Sequence, residues 1–472
     1  MGTSHVGWVK RSGTHHMWIQ VQNGGFRSAS PTLRCETVRT TRRGFLKMAG
    51  AAFVFPAIVP SPALGADGAV APSNRISLGF IGTGDHGVHM NLMNFLPQPD
   101  AQVVALCDVD ASRVRNAQAI VEQHYAKNQT DGAYKGCDIT GDWREIIARS
   151  DIDAVVVSTP DHWHVLPAVA AARMGKDVFC EKPLTLTVQE GRVLSDTMGR
   201  YGRVFQTASE NRSKWNFLRG AELVRNGRIG KLHTIRTQLP VDAHQLKNLG
   251  RVFSPEPIPK GFDYDMWLGQ APQAPYTAAR CHYHFRWISD YSGGSLTDWG
   301  AHINDIAQWA NDTEHTGPTS VEGHGIFPQD GLYNTAIEWT ICYEYENGVK
   351  LICTNGTPQI RFEGADGWIQ CGWDTIESHP PSVLKFAIGP EEVHLRTCPE
   401  REQRDFLNCV RSREETYAPA EVGHRTITIG HIGNIAMLLG RRLRWDPATE
   451  RFLNDDAANQ MLSRPMRAPW HL

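Results

Sequence analysis

The chain has 472 residues, 41% hydrophobic and 21% charged, with a formal net charge of -2. That length exceeds what one hydrophobic core organises, so two domains are expected. The near-neutral balance excludes the basic field that a nucleic-acid binder needs.

Residues 41–50 read Thr41-Arg42-Arg43-Gly44-Phe45-Leu46-Lys47-Met48-Ala49-Gly50, and small residues follow to Ala63-Leu64-Gly65-Ala66. An arginine pair, a mildly apolar run and a small-residue exit match a twin-arginine export signal, which places the mature protein in the periplasm. The run is too short and too rich in proline for a stable membrane span. Residues 1–36 are long and polar for a leader; either the true start lies near Val38 or the front region is extended. The expected organisation is a leader over 1–70, a dinucleotide-binding domain over 71–207 and an α+β substrate domain over 208–472.

The first strand, Ile76 to Ile81, runs straight into Gly82-Thr83-Gly84-Asp85-His86-Gly87, and Val88 to Phe95 suits a helix. A G-x-G-x-x-G run between strand and helix is a dinucleotide fingerprint: Gly82 for a tight turn, Gly84 for approach of the pyrophosphate, Gly87 for close packing. The helix N-terminus would face the phosphates. The second strand, 102–107, ends at Asp108, where a ribose-binding acid belongs; the competing reading is a helix cap before Ala111. A carboxylate there favours NAD over NADP, although Arg113 nearby could accommodate a 2′-phosphate. Helices at 142–149, 165–174 and 187–202 alternate with strands at 154–157, 177–180 and 204–207. That is an α/β pattern, a doubly wound parallel Rossmann sheet with ligands at the strands' carboxyl ends. Ser158, Thr159, Pro160, His162, His164, Glu181 and Lys182 lie at such ends.

Beyond residue 207 a helix is expected at 214–226 and a strand at 232–237. A long loop, about 240–290, is rich in Pro, Trp, Tyr and His, and its aromatic content points to an ordered, functional segment. Strand-like alternation at 319–325, 335–345, 349–354 and 359–362, then helices at 402–411 and 424–439, predict an open, mostly antiparallel sheet. Its open face could support a homo-oligomer. Fourteen Trp and 20 His would suit a polar, aromatic-lined sugar cleft, or simply fill core and surface. Ten scattered cysteines show no C-x-x-C and no disulfide framework; Cys107 and Cys180 end apolar runs and read as buried thiols.

His302 follows Asp298 by four residues, so on a helix the two share one face. An imidazole near neutral pKa suits a base for a hydroxyl proton. The carboxylate could orient it, and Lys182 could stabilise alkoxide charge. Asp305 extends the polar stripe, whose bland alternative is a solvated helix face. Arg212, His282, His284 and Arg286 are candidate substrate contacts. Residues 298, 302 and 305 lack a Cys or second His at ligand spacing, so no metal is expected.

The glycine turn, Asp108, Thr159-Pro160-Asp161-His162-Trp163-His164, Glu181-Lys182-Pro183 and Gly293-Gly294-Ser295-Leu296-Thr297-Asp298-Trp299-Gly300-Ala301-His302, in this order and spacing, resemble the glucose–fructose oxidoreductase and inositol dehydrogenase (Gfo/Idh/MocA) family. The likeness covers nearly everything from residue 75 onward. It implies that Lys182 lies beside a nicotinamide and that Asp298 and His302 complete an acid–base set. Gly293-Gly294-Ser295 departs from the commoner three-glycine run. The expected protein is an NAD(P)-dependent oxidoreductase acting on a sugar, polyol or sugar derivative, with a tightly bound cofactor. Two rivals remain: an NAD-dependent glycoside hydrolase that transiently oxidises its sugar, and a non-catalytic dinucleotide-binding sensor.

Overall fold

Apolar runs too short for helices, each followed by a helix, pair side by side and place their carboxyl ends along one edge. β1 (Ile76–Ile81), β2 (Ala101–Cys107), β3 (Asp138–Thr140), β4 (Ala154–Val157), β5 (Asp177–Cys180) and β6 (Phe205–Thr207) form a parallel sheet of order β3-β2-β1-β4-β5-β6. The computed structural model describes residues 74–128, 134 and 136–472. The leader expected over 1–70, with its arginine pair, lies outside the described residues. Strands β4 and β5 are buried at every position, which is why they read as unbroken apolar runs. The order reverses between β1 and β4, and a crevice opens there beyond the strand ends.

Local chemistry sets the helix boundaries. Helix α1 (Ala111–Asn128) begins where Asp110 Oδ1 accepts the Ser112 N–H at 2.8 Å. Thus Asp110, and not Asp108, is the cap. Asp142 caps α2 (Trp143–Ala148), and α3 (Val165–Arg173) follows β4. Thr187 and Glu190 form a reciprocal capping box at the start of α4 (Val188–Tyr201), which stops at left-handed Gly202. The segment expected as the first helix is wound as a π-helix over Gly87–Leu92 and continues through Met93–Phe95.

The second sheet has nine strands in the order β13-β12-β11-β7-β10-β9-β8-β14-β15. They are β7 (Leu232–Leu239), β8 (Ser320–Ile326), β9 (Glu338–Glu344), β10 (Lys350–Asn355), β11 (Gln359–Gly364), β12 (Gly367–Gly372), β13 (Ile376–His379), β14 (Leu443–Asp446) and β15 (Arg451–Phe452). Only β7 and β10 pair in parallel. Helices α5 (Trp215–Arg225), α6 (Ser295–Asp298) and α7 (Gly300–Ala310) precede β8, and α8 (Arg401–Ser412) and α9 (Ala420–Leu439) follow β13. Phe217, Ile303, Ile306, Ile429 and Ile432 pack with Ile341 and Leu351 of the sheet in one apolar core. The stretch 240–290 is not a bare loop. It carries short helices at Ala243–Lys247 and Tyr264–Leu268, and its aromatic side chains, Trp267, Phe285 and Trp287 among them, form their own cluster.

Helix α8 returns to the first sheet. The Phe406 ring meets those of Phe95 and Phe179 edge-on, at 6.3 and 5.8 Å between centroids. Among the described residues no helix is long and apolar enough to cross a membrane. The nine cysteines there are free, and all but Cys342 are buried. Deleting the Phe406 ring would leave a cavity beside two aromatic neighbours. We expect Phe406→Ala to cost roughly 3–5 kcal/mol in urea unfolding; a loss under about 1 kcal/mol would mean that α8 is not docked on this sheet.

Candidate active site

The glycine turn after β1 divides its work among three residues. Gly82 has φ +93°, and a Cβ there would lie 2.6 Å from the backbone of Ser158. A Cβ on Gly87 would lie 2.6 Å from the Gly82 carbonyl oxygen. On Gly84, by contrast, a Cβ would meet nothing nearer than the Arg113 guanidinium at 3.4 Å. The space above Gly84 is therefore open, as a phosphate-bearing ligand requires. This turn lines a cavity of about 280 Å³ that follows the carboxyl edge of the sheet past Asp108, Arg113, Thr159, Asp161, Lys182 and Arg286. From β2 to β5 is three strand spacings, about 14 Å.

Asp108, at the end of β2, lines one end of the cavity. Its Oδ2 accepts the Thr83 N–H at 2.7 Å and the Thr83 hydroxyl at 3.1 Å, and its Oδ1 accepts the Asp110 N–H at 2.9 Å. A carboxylate offers about four acceptor positions, so Asp108 has capacity for one ribose hydroxyl and not two. Burial raises its pKa. Thr83 is not a ligand contact: it is buried and both its donors are spent on Asp108.

Ser158, Thr159, Pro160 and Glu181 also line the cavity. Asn91 donates to Ser158 Oγ at 2.9 Å and to Glu181 Oε1 at 2.7 Å, while His86 Nε2 lies 3.2 Å from Glu181 Oε2. Burial alone would raise the Glu181 pKa, but His86, Lys182 and Asn91 outweigh it and hold the carboxylate at about 2. Glu181 in turn raises the pKa of His86. His164, expected at the cofactor, does not reach the cavity. Its ring nitrogens bond the carbonyls of Pro183 at 2.9 Å and Thr159 at 2.8 Å, stapling the two turns together.

At the other end Lys182 Nζ donates to Asp298 Oδ1 at 2.8 Å, and both side chains are buried. Burial opposes each charge, but Lys182 and Arg286 keep the Asp298 carboxyl well below the usual carboxylate range. Asp298 reciprocally keeps Lys182 charged. Arg286 Nε stands 3.9 Å from the other carboxylate oxygen. Asp298 thus serves the two cations and makes no hydrogen bond to His302, contrary to the sequence expectation. Nor does His302 titrate near neutrality: burial and the Lys182 cation push it down to about 3. Its Nδ1 is buried without a hydrogen-bond partner, 3.8 Å from Glu210, and its ring sits between Trp299 and Trp373.

Other expectations are also corrected. Arg212 and Asp305, both 1% exposed, form a two-bond ion pair at 2.7 and 2.8 Å, with Glu314, Thr426 and the Tyr417 carbonyl completing it. They are structural, because each buried charge is matched by the other and neither residue lines the cavity. His284 stacks on His244 at 4.0 Å and does not line the cavity. His282 lines it at the Asp108 end, beside Arg113 and Asp110, away from Lys182.

Asp161 was quoted in the sequence only as part of a turn. It is 3% exposed, lines the cavity, and its Oδ2 has no hydrogen-bond partner. Burial pushes its carboxyl up to about 7. Its place four residues past the end of β4, at the reversal of strand order, was the available signal.

Residues 76–209 match the family model described as "Oxidoreductase family, NAD-binding Rossmann fold", and residues 243–472 match "Oxidoreductase family, C-terminal alpha/beta domain". An alpha-N-acetylgalactosaminidase of Shewanella oneidensis is 30% identical over 231 residues, 43% of this chain and 48% of that protein. The chain therefore spans about half the length of the curated relatives it matches. Among solved structures, the aldose-aldose oxidoreductase of Caulobacter crescentus complexed with glycerol aligns at TM-score 0.57 and 17% identity, covering 78% of this chain and 99% of that one. The WlbA dehydrogenase of Bordetella pertussis, in complex with NADH and UDP-GlcNAcA, aligns at TM-score 0.58 and 15% identity, covering 78% and 98%. At these identities the likeness is one of fold.

The Lys182–Asp298 pair has a measurable signature. In Asp298→Asn the ammonium loses its counter-charge while still buried, which should cost about 3–5 kcal/mol at neutral pH. The double variant Lys182→Met/Asp298→Leu should recover much of that loss in urea unfolding. A double variant no more stable than the single one would mean that the two side chains are not coupled.

Proposed function

Because this chain belongs to the Gfo/Idh/MocA family of oxidoreductases, we propose that it transfers hydride between a nicotinamide cofactor and a sugar, polyol or sugar derivative. The observation that carries this reading is one cavity with the glycine turn and Asp108 at one end and, at the other, Lys182 and Arg286, the lysine being held by its ion pair to Asp298. The open space over Gly84 and the free acceptor position of Asp108 fit a dinucleotide. The backbone at Gly82 and Gly84, with Asp108, Thr159 and Glu181, would hold it, and an oxidised nicotinamide beside Lys182 would supply the hydride acceptor.

The chain's own groups do the rest. Lys182 donates a hydrogen bond to the substrate oxygen and offsets the charge that develops there, most effectively where water is excluded. Asp298 keeps that ammonium protonated and aimed, and Arg286 adds a second cation for a polyol oxygen. His302, neutral and clamped between two indoles, shapes the wall behind them. Asp108 favours NAD by opposing a 2′-phosphate; in the NADP alternative Arg113 takes that phosphate.

A second reading, a glycoside hydrolase that oxidises, eliminates and re-reduces its sugar, is favoured by the Shewanella relative named alpha-N-acetylgalactosaminidase. A dinucleotide-binding sensor would have no use for the buried Lys182–Asp298 pair. We further propose export through the twin-arginine route, on the strength of residues 41–50. Far from a nicotinamide pool, a retained cofactor must be reduced and reoxidised in one site, which either enzyme reading accommodates.

Two experiments test these readings. Protein loaded with oxidised cofactor should show a single-turnover rise in nicotinamide absorbance with one or more sugars. Lys182→Ala should keep its nucleotide and lose about 10²–10³-fold in that rate. Absence of any response across sugars and polyols would remove the dehydrogenase reading, whereas release of an aglycone with no net reduction would favour the hydrolase. For export, replacing Arg42 and Arg43 together by Lys should leave folded protein in the cytoplasm; unchanged export of that variant would end the twin-arginine proposal.

A further inference from the structure

We infer that His86, paired with Glu181, is a charged contact for the phosphates of the dinucleotide and makes cofactor binding depend on pH. The inference rests on the dinucleotide reading above and adds to it a binding residue and a proton-linked control of affinity. His86 lines the cavity two residues beyond Gly84, the position over which space is open. Its Nε2 stands 3.2 Å from Oε2 of the buried Glu181. The other ring nitrogen, Nδ1, has no partner among the described residues.

The chemistry of the ring makes the proton essential. A neutral imidazole has one N–H donor and one lone pair. With the donor on Nε2, toward Glu181, Nδ1 presents a lone pair that repels a phosphate oxygen. With the donor on Nδ1, the lone pair of Nε2 faces the carboxylate instead. Only the imidazolium donates to Glu181 and to an anionic ligand at once. Glu181 has no other charged donor to turn to. The Asn91 amide at 2.7 Å and the Lys182 backbone N–H at 3.2 Å are neutral, and Lys182 Nζ is bonded to Asp298. His86 is thus the charged partner that a buried carboxylate in this position requires.

The groups that face His86 come from three other segments. Glu181 and Lys182 stand on the turn after β5, Glu210 on the helical turn Glu210–Ser213 and His302 on α7. Glu181 raises the imidazole pKa, burial and Lys182 oppose it, Glu210 adds to the rise, and the net shift is upward. A raised pKa keeps the cation at acid and neutral pH and removes it as pH climbs through the raised value. Dinucleotide affinity is then full on the acid side and falls as that proton is lost. The other basic groups along the cavity do not follow this course. Arg113 and Arg286 stay charged, Asp298 keeps Lys182 charged, and burial and Arg113 push the His282 pKa down.

The test is titration calorimetry on the full, folded protein with ADP-ribose, which carries the pyrophosphate and lacks the nicotinamide. From about pH 6 to about pH 9 its affinity should fall about 10–100-fold, the contribution of one charge-assisted hydrogen bond. At the alkaline end the heat should vary with the buffer's ionisation enthalpy, as uptake of a proton by His86 requires. His86→Gln should bind weakly and lose the fall, whereas His86→Arg, a permanent cation, should bind tightly at both extremes. Asp161 also titrates near neutrality, so Asp161→Asn is the control and should keep the wild-type fall. Adenosine, which has no phosphate, should show no such fall. An unchanged fall in His86→Gln, its loss in Asp161→Asn, or an equal fall for adenosine overturns the inference. Magnetic resonance of the imidazoles in nucleotide-free protein tests the pair by itself. Glu181→Gln should lower the His86 pKa, and an unmoved His86 overturns the inference too. A wild type that binds ADP-ribose equally well at every pH overturns it while leaving the dinucleotide reading in place; one that binds no nucleotide at any pH removes both.

Discussion

The ion pair between Lys182 and Asp298 joins residues 116 apart in sequence, one on the turn after β5 and the other at the end of α6. Removing two charges from water is costly, and the cost is offset only when they meet at good distance with their remaining sites engaged. That condition fixes the seam between the first sheet and the chain that follows it. It points the ammonium along the cavity wall, it draws Arg286 to the second carboxylate oxygen, and it leaves nothing of Asp298 for His302. The catalytic reading follows from this constraint. An ammonium whose pKa is raised by its partner is suited to electrostatic stabilisation.

Burial of the same depth produces opposite charge states, according to what else is close. Glu181, Glu190 and Glu402 are all buried carboxyls. Glu181 has His86, Lys182 and Asn91 about it and is held at about 2. Glu190 and Glu402 are raised by burial to about 7, the first having chiefly backbone N–H groups and the second having Glu210 and Glu181 nearby. His162, His302 and His431 are each pushed to about 3, since their neighbours do not repay the desolvation of a cation. None of this is carried by residue type or by spacing along the chain. It explains why His302, spaced like a near-neutral imidazole in the sequence, is buried and neutral in the fold.

What the sequence does carry is anything decided by a residue's immediate neighbours. The strands buried on both faces, 154–157 and 177–180, are found where the apolar runs placed them. The tight turn at Gly82, the close packing at Gly87 and the open space at Gly84 are found as well, because each depends on backbone conformation and on the next two elements. The missed strands are edge or late strands. In β3 no residue is fully buried, and β13 to β15 are two to four residues long, too short to show a period. The π-wound start at Gly87–Leu92 escaped for another reason, since a π-helix and an α-helix share nearly the same apolar pattern. Arg212 and Asp305 were misread because each is polar and lies near a motif; the partner that explains them is 93 residues away.

The two ends of the cavity draw on different parts of the chain. Its Asp108 end joins β1, β2 and the glycine turn to Arg113 and His282, with Thr83 and Asp110 pinning the carboxylate. Its Lys182 end borrows Arg286 from the chain beyond residue 280, beside the aromatic cluster of Trp267, Phe285 and Trp287 and 3.9 Å from Asp298. A change in that cluster moves Arg286 without touching the glycine turn, and a change at Asp108 leaves the Lys182–Asp298 pair intact. The β4 turn lies between the two ends: Thr159 and Pro160 line the cavity, Asp161 faces the two cations, and His162 and Trp163 anchor the turn to the Trp267 carbonyl at 3.1 and 2.9 Å. This short segment ties the glycine-turn end of the cavity to the Lys182–Asp298 pair through the same backbone.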